Sequence, residues 1–170
     1  MLTQDSNHSI MNTSDPSSFL DRLFSHLGDD GIDVSRYVLD HICYRVATAL
    51  EYDEMCGELS TRWWLLSETM IWGRMIATYR LDEPIRYHDR EIWCVEIPSP
   101  KAWSPYPTGW EHAEFVIDVP FAEMMSQYSD VSWHTDAMSK SINPDISIKY
   151  PGLSVKFHHH TLEYVIEYFE

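Results

Sequence analysis

Basic residues are scarce in this sequence, which holds 12 lysines and arginines against 27 aspartates and glutamates and has a formal net charge of −15. Nucleic acids and anionic membrane surfaces would repel such a chain, so we expect neither as a partner. The acidic residues are spread along the chain rather than gathered in one block. That distribution is more typical of a solvated surface than of a dedicated cation-binding tail.

Cysteines are also few, and long apolar runs are missing. Cys43, Cys56 and Cys94 are odd in number and lack C-x-x-C spacing, which argues against a disulfide framework and a thiolate zinc site. No run approaches the roughly 20 apolar residues of a membrane span. The polar start of the chain has no signal-peptide pattern. We therefore expect a soluble, unexported protein of the reducing cytoplasm.

Aromatic residues are plentiful. With 44% hydrophobic residues, seven Trp, ten Tyr and six Phe, the chain has the composition of a folded protein. Residues 1–14, rich in Ser, Asn and Thr, are expected to form a loose N-terminal tail. Residues 15–170 are expected to form a single domain. It opens with a helical extension that Asp15-Pro16 begins and Gly28 ends.

The rest of the domain consists of two halves in which the predicted strands and helices follow a similar order. Module one, about residues 38–98, predicts a strand, a helix and three strands rich in aromatic and β-branched residues. Residues 99–108 belong to a proline-rich stretch and predict a connector. Module two, about residues 109–170, repeats the strand and the helix and ends in a hairpin around Pro151-Gly152. The predicted class is α+β.

Two parts of module two carry weaker patterns. Between its helix and its hairpin, the only candidate strand is Ser132–Asp136. Residues from Thr161 to Phe169 either extend the last strand or close as a helix, and we favour a helical turn after His160.

An acidic residue followed by histidine opens the first strand of each module. Strand alternation places His41, Cys43 and Arg45 on one face of the first strand. It places His112 and Glu114 on one face of the equivalent strand in module two. Asp40, Glu111 and Glu114 are nearby candidates to support a ligand or to act as acid or base, although alternation turns Asp40 and Glu111 away from their histidines.

The last strand of each module carries a polar residue that mirrors this histidine. Glu96 alternates with apolar neighbours in module one, and His158 does so in module two. Imidazole nitrogen and carboxylate oxygen are suitable ligands for zinc, iron, nickel or manganese. Alternatively, Arg45 or Arg74 neutralises Glu96, and the histidines are hydrogen-bonded pocket residues.

Several stretches of the sequence, in their order along the chain, resemble the YecM family. They are Asp40-His41-Ile42, Leu66 to Arg74, Val95 to Pro98, Gly109 to Glu114 and Val155 to His158. The resemblance implies the vicinal-oxygen-chelate superfamily, which includes glyoxalase I, extradiol dioxygenases and bleomycin-resistance proteins. It implies paired βαβββ modules whose curved sheet surrounds a cleft, with a divalent metal held by the first and last strands of each module.

Position by position, the resemblance makes His41 and Glu96 the metal ligands of module one and His112 a ligand of module two. His158 stands where the superfamily's metalloenzymes commonly have a glutamate, and Glu163 is the alternative carboxylate if the last strand runs further. A His/Glu/His/His set matches neither the two-His, two-Glu set of glyoxalase I nor the two-His, one-carboxylate triad of the extradiol enzymes. The sequence therefore leaves the metal and the reaction open.

The leading hypothesis is a metal-dependent enzyme whose substrate chelates the ion through two adjacent oxygens. The ion would act as a Lewis acid, with Glu68 or Glu114 as the catalytic base, in isomerase, lyase or dioxygenase chemistry. Arg45, Arg74 and Lys156 are candidates to bind an anionic group of the substrate.

Two alternatives belong to other functional classes. A protein of this fold can sequester a small molecule without turnover, as bleomycin-resistance proteins do. An adaptor would instead use the acidic surface to dock a basic partner. The sequence leaves the oligomeric state open.

Overall fold

The computed structural model describes residues 15–102 and 104–169, so the tail expected over residues 1–14 lies outside the described residues. Within them, runs rich in β-branched and aromatic residues form strands. The strands are β1 Val38–Arg45, β2 Trp64–Ile71, β3 Arg74–Tyr87, β4 Arg90–Pro98, β5 Gly109–Val116, β6 Ile146–Tyr150 and β7 Leu153–His158. The α-helices of the same part of the chain are α1 Ser17–Asp29, α2 Ala49–Leu59, α3 Phe121–Gln127 and α4 Leu162–Phe169.

All seven strands belong to one sheet with the order β2-β3-β4-β1-β5-β7-β6. β1 is parallel to β4, β5 is parallel to β7, and the two modules meet where β1 pairs antiparallel with β5. The β4-β1 pair therefore corresponds to the β7-β5 pair. This arrangement confirms the predicted α+β class with two related modules.

The candidate strand Ser132–Asp136 of module two forms an isolated bridge and not a regular strand. His134 bridges to Ser147 of β6, which is the place that β2 occupies beside β3 in module one. The chain then turns directly into a short 3-10 helix, Asp136–Ser139, and cannot extend the ladder.

One face of the sheet is apolar and covered by helices. Its buried side chains include Ala77 and Tyr79 of β3, Phe115 of β5 and Phe157 of β7, and α1, α2 and α3 add further residues to this core. Thr48 caps α2 by accepting a hydrogen bond from the backbone N–H of Glu51, which satisfies one donor of the first turn. The opposite face, which we call the polar face, is left for the charged residues.

The last helix closes one end of the polar face. Residues 162–169 form α4, which confirms the helix favoured after His160. The backbone N–H of Leu162 donates to Oδ2 of Asp40 over 2.9 Å, and Glu163 forms an ion pair with Arg80 of β3. Among the described residues, the helices are too short or too polar to cross a membrane.

Candidate metal centre

A bulge in β1 brings Asp40 and His41 to the same side of the sheet. Leu39 pairs with Phe115 and His41 with Glu114, so Asp40 has no partner of its own on β5. Such an extra residue interrupts the strict alternation of a strand. Oδ2 of Asp40 lies 2.9 Å from Nδ1 of His41. The prediction that Asp40 turns away from its histidine is therefore wrong.

The same irregularity occurs in β5. Cys43 pairs with His112 and Tyr44 with Trp110, which leaves Glu111 as the extra residue. Oε2 of Glu111 lies 2.6 Å from Nδ1 of His112, so the expectation that this acid points away is also wrong. Each histidine thus has its Nδ1 held by the preceding carboxylate, and its Nε2 points elsewhere.

The two Nε2 atoms converge with two carboxylates from different strands. We call His41, Glu96, His112 and Glu114 the central cluster, whose ligand atoms all lie within 4.8 Å of one another. Nε2 of His112 is 3.1 Å from Glu114 and 3.6 Å from Glu96, and Nε2 of His41 is 3.5 Å from Glu114. Tetrahedral ligands about 2.0–2.1 Å from an ion stand roughly 3.4 Å apart, so the spacing fits a metal.

His158 lies beside the central cluster and belongs to a second group with Asp40 and His41. It pairs with Val116 at the end of β5, and its Nε2 is 3.3 Å from Glu114. The structure therefore brings together His41, Glu96 and His112 of the ligand set predicted from the sequence, with Glu114 as their fourth neighbour. His158 is fully buried, with neither ring nitrogen hydrogen-bonded to a described residue.

The strand register places Lys156 where module one has Glu96. Glu96 pairs with Cys43, two residues beyond His41, and Lys156 pairs with Glu114, two residues beyond His112. Nζ of Lys156 donates to Glu114 over 2.7 Å and lies 3.2 Å from Nε2 of His112. This lysine, a candidate from the sequence for binding substrate, is an immediate neighbour of the central cluster.

The charges of the cluster support one another despite burial. Burial alone would raise the pKa of Glu114, but the charges of Lys156 and His41 hold that pKa well below its ordinary value. Burial alone would lower the pKa of His41, but the charge of Glu114 and the contact with Asp40 raise it to about 10. The cluster therefore keeps Glu114 ionised, which is the form that binds a cation, and keeps His41 protonated at neutral pH, so that a cation would bind there with release of a proton.

Two predicted carboxylates lie away from the cluster. Glu68 pairs with Ala77, which belongs to the helix-covered face, and accepts a hydrogen bond from the hydroxyl of Tyr52 in α2 over 2.8 Å. Glu163, the alternative ligand, is engaged with Arg80. Neither is joined to the central cluster.

A cavity of about 360 Å³ lies elsewhere, between α1 and the turn from β3 to β4. Arg90, one of the charged residues in its wall, donates to the backbone oxygens of Val34 and Tyr37 over 2.7 Å each. The guanidinium is thus already bound within the fold. The central cluster is therefore the candidate functional site.

Sequence reasoning offered the two bulged acids for supporting roles but placed their side chains on the wrong face. The repeated acid-histidine pair, Asp40-His41 and Glu111-His112, was the available signal. Alternation argued against a contact within each pair, because a regular strand would place the two side chains on opposite faces.

Comparison with known proteins agrees with the motifs. Residues 9–143 match the family described as YecM protein. Over 160 residues the chain is 32% identical to Protein YecM of Escherichia coli (strain K12), in a match that covers 87% of this chain and 75% of that protein. An uncharacterised protein of Haemophilus influenzae (strain ATCC 51907 / DSM 11121 / KW20 / Rd) is 31% identical over 102 residues, which cover 59% of this chain and 53% of that protein.

The fold is likewise found in a solved structure. A structural-genomics structure named Protein EC4020 superposes with a TM-score of 0.78 at 24% identity, over 90% of this chain and 88% of that one. The resemblance that the sequence motifs indicated is thus confirmed: the chain belongs to the YecM family.

Proposed function

We propose that the central cluster binds one divalent metal ion and that the protein is an enzyme of the vicinal-oxygen-chelate type. Its substrate would be a small molecule that chelates the ion through two adjacent oxygens. Two imidazoles and two carboxylates suit zinc, iron, nickel or manganese. When bound, the ion would supply Lewis-acid chemistry, which suits isomerase, lyase or dioxygenase reactions.

One observation carries this proposal. His41 is 1% exposed, and its Nε2 makes no hydrogen bond to any residue that the structure describes, although it points toward Glu114 at 3.5 Å. A buried polar atom without a hydrogen bond is costly. A metal ion between His41 and Glu114 would satisfy this atom and the neighbouring carboxylates together.

The surrounding residues fit defined roles in such a site. Asp40 and Glu111 hold the histidine rings, a task that carboxylates commonly perform behind metal-bound imidazoles. Glu114 is the candidate for proton transfer that lies in the cluster, since Glu68 lies on the opposite face.

A non-catalytic binding protein is the second candidate, and Lys156 favours it. Its ammonium group lies between Glu114 and Nε2 of His112 and supplies a positive charge to the same cluster. In that case the polar face would bind a small molecule without a metal ion.

Metal content distinguishes the two candidates. Untagged protein would be purified without chelator and its metals measured by mass spectrometry, beside His112→Ala and Glu96→Gln. Glu91→Gln is the control for Glu96 because Glu91 is an exposed residue of the same strand, and His160→Ala is the exposed control for His112. Near-stoichiometric metal that is lost in the two cluster variants alone supports the enzyme. Metal-free wild-type protein that also binds no added ion would overturn it.

A further inference from the structure

Three cationic residues lie at the end of the polar face that is opposite α4. Arg45 is the last residue of β1, Arg74 is the first residue of β3, and Lys101 follows the end of β4. Because β1 and β4 are parallel while β3 runs antiparallel to β4, these three chain positions lie at the same end of the sheet. Arg45 shares the polar face with His41 by alternation, and so does Arg74 with Thr78, the partner of Glu96.

Arg45 is buried but loosely bound. Its side chain is 9% exposed, and its Nε makes no hydrogen bond within the described part of the chain. Its other contacts are long: 3.4 Å to the backbone oxygen of Ser104 and 3.8 Å to Glu111. The guanidinium also lies over the ring of Tyr106, with 4.8 Å from its carbon to the ring centroid. A buried charge with contacts of this length lowers the stability of the fold unless a further anion pairs with it.

The other two cations reinforce the positive charge at this end. Arg74 donates to the backbone oxygen of Ser99 over 3.4 Å, again a long contact. Burial and the charge of Arg45 both lower the pKa of Arg74, and burial with the charges of Arg74 and Arg45 lowers that of Lys101. The cations thus repel one another in a chain whose formal net charge is −15.

Glu111 does not balance this group. Its carboxylate is held at 2.6 Å by Nδ1 of His112, and its contact with Arg45 is 3.8 Å long. Glu111 does, however, connect the two regions, because it touches His112 of the central cluster on one side and Arg45 on the other. The positive end therefore lies directly beside the proposed metal centre.

We infer that Arg45, Arg74 and Lys101 form a subsite for an oxyanion, a carboxylate or phosphate group, on the small molecule that the protein binds. This inference rests on the proposed function, since the same molecule would chelate the metal with its other end. Guanidinium groups bind such oxyanions through two parallel hydrogen bonds, and Nε of Arg45 is free to provide one of them. Lys156 is not part of the subsite because it is bound to Glu114.

Chelating probes that differ only in a distal charge test the subsite. Acetohydroxamate chelates through adjacent oxygens and carries no further anion. Succinyl and glutaryl monohydroxamates add a carboxylate at increasing distance, and phosphonoacetohydroxamate adds a phosphonate. Their affinities would be measured by calorimetry on manganese-loaded protein, for the wild type, Arg45→Gln and Lys101→Gln. The control is Arg86→Gln, since Arg86 is exposed and pairs with Glu91.

We expect at least one charged probe to bind wild-type protein about tenfold more tightly than acetohydroxamate, as one charge-assisted contact would provide. In Arg45→Gln this preference should fall to about twofold or less, while acetohydroxamate affinity and manganese content stay unchanged; Lys101→Gln should lose part of it. The better probe, carboxylate or phosphonate, identifies the oxyanion. Equal binding of charged and uncharged probes by the wild type would overturn the subsite.

The subsite can also be tested if the protein proves to bind no metal ion. If the protein binds no metal, the same variants would be titrated with succinate and with inorganic phosphate. Binding that Arg45→Gln abolishes and Arg86→Gln retains would keep the subsite while the enzyme proposal falls. Absence of binding to both anions would overturn the subsite as well.

Discussion

Oδ2 of Asp40 lies 2.9 Å from Nδ1 of His41, its neighbour in the chain, and Oε2 of Glu111 stands in the same relation to His112 at 2.6 Å. A carboxylate that accepts the Nδ1 proton fixes the ring and turns Nε2 toward the cluster, where a bound cation would replace the Nε2 proton. The two bulges thus give the two modules equivalent, oriented histidines.

Glu111→Gln is therefore expected to weaken divalent-metal binding by about 10- to 100-fold without abolishing it. The dissociation constant would be measured by competition with a chelating dye. Asp118→Asn is the control, because Asp118 is an exposed carboxylate that pairs with Arg36. Unchanged affinity in Glu111→Gln would show that this acid does not orient a ligand.

Much of the fold could be predicted because the patterns that specify it are local. Alternation identified the face shared by His41, Cys43 and Arg45, and proline and glycine marked the bounds of the first helix and the connector between the modules. The bulges could not be predicted, because an extra strand residue is defined by its pairing partner and not by its own period. The choice between Glu114 and His158 depends on the register of β5 against β1 and β7, which a single slip would reverse.

Substitutions of Glu114 and His158 are expected to weaken zinc binding to very different extents. Because Glu114 belongs to the central cluster, Glu114→Gln should weaken zinc binding by about 100-fold or more, as loss of a charged ligand does. His158→Gln should change it by about threefold or less, because His158 lies outside that cluster. Calorimetric zinc titration, with circular dichroism to verify folding, measures both. The reverse order would restore the ligand set predicted from the sequence.

Lys156 is expected to compete with the metal ion. Its ammonium lies 2.7 Å from Glu114 and 3.2 Å from Nε2 of His112, so a bound cation would be repelled by it. Lys156→Met should therefore strengthen metal binding by about tenfold, and Lys149→Met, at an exposed position of β6, should not. Weaker binding in Lys156→Met would mean that the lysine supports the metal-bound state.

Tyr87 is expected to stabilise the fold at neutral pH and to lose this contribution at alkaline pH. Burial and the hydrogen bond from its hydroxyl to Asp21, 2.7 Å long, raise the pKa of Tyr87 to about 12. The unfolded value is about 10, so this contribution is complete below pH of about 10 and is lost as the pH rises through the folded pKa. Tyr87→Phe should cost about 1 kcal/mol at neutral pH.

The same variant should also flatten the fall in stability between these two pKa values. Urea unfolding of wild type and Tyr87→Phe on either side of the unfolded pKa measures both effects. Parallel losses in the two proteins would contradict the assigned role of Tyr87.

The central claim is that one cation binds between the two modules, and a crystal grown with zinc tests it most directly through an anomalous-difference map. We expect one strong peak about 2.0–2.2 Å from Nε2 of His41 and His112 and from carboxylate oxygens of Glu96 and Glu114, with Lys156 displaced. A map without a peak there, in which Lys156 still joins Glu114 to His112, would contradict the account.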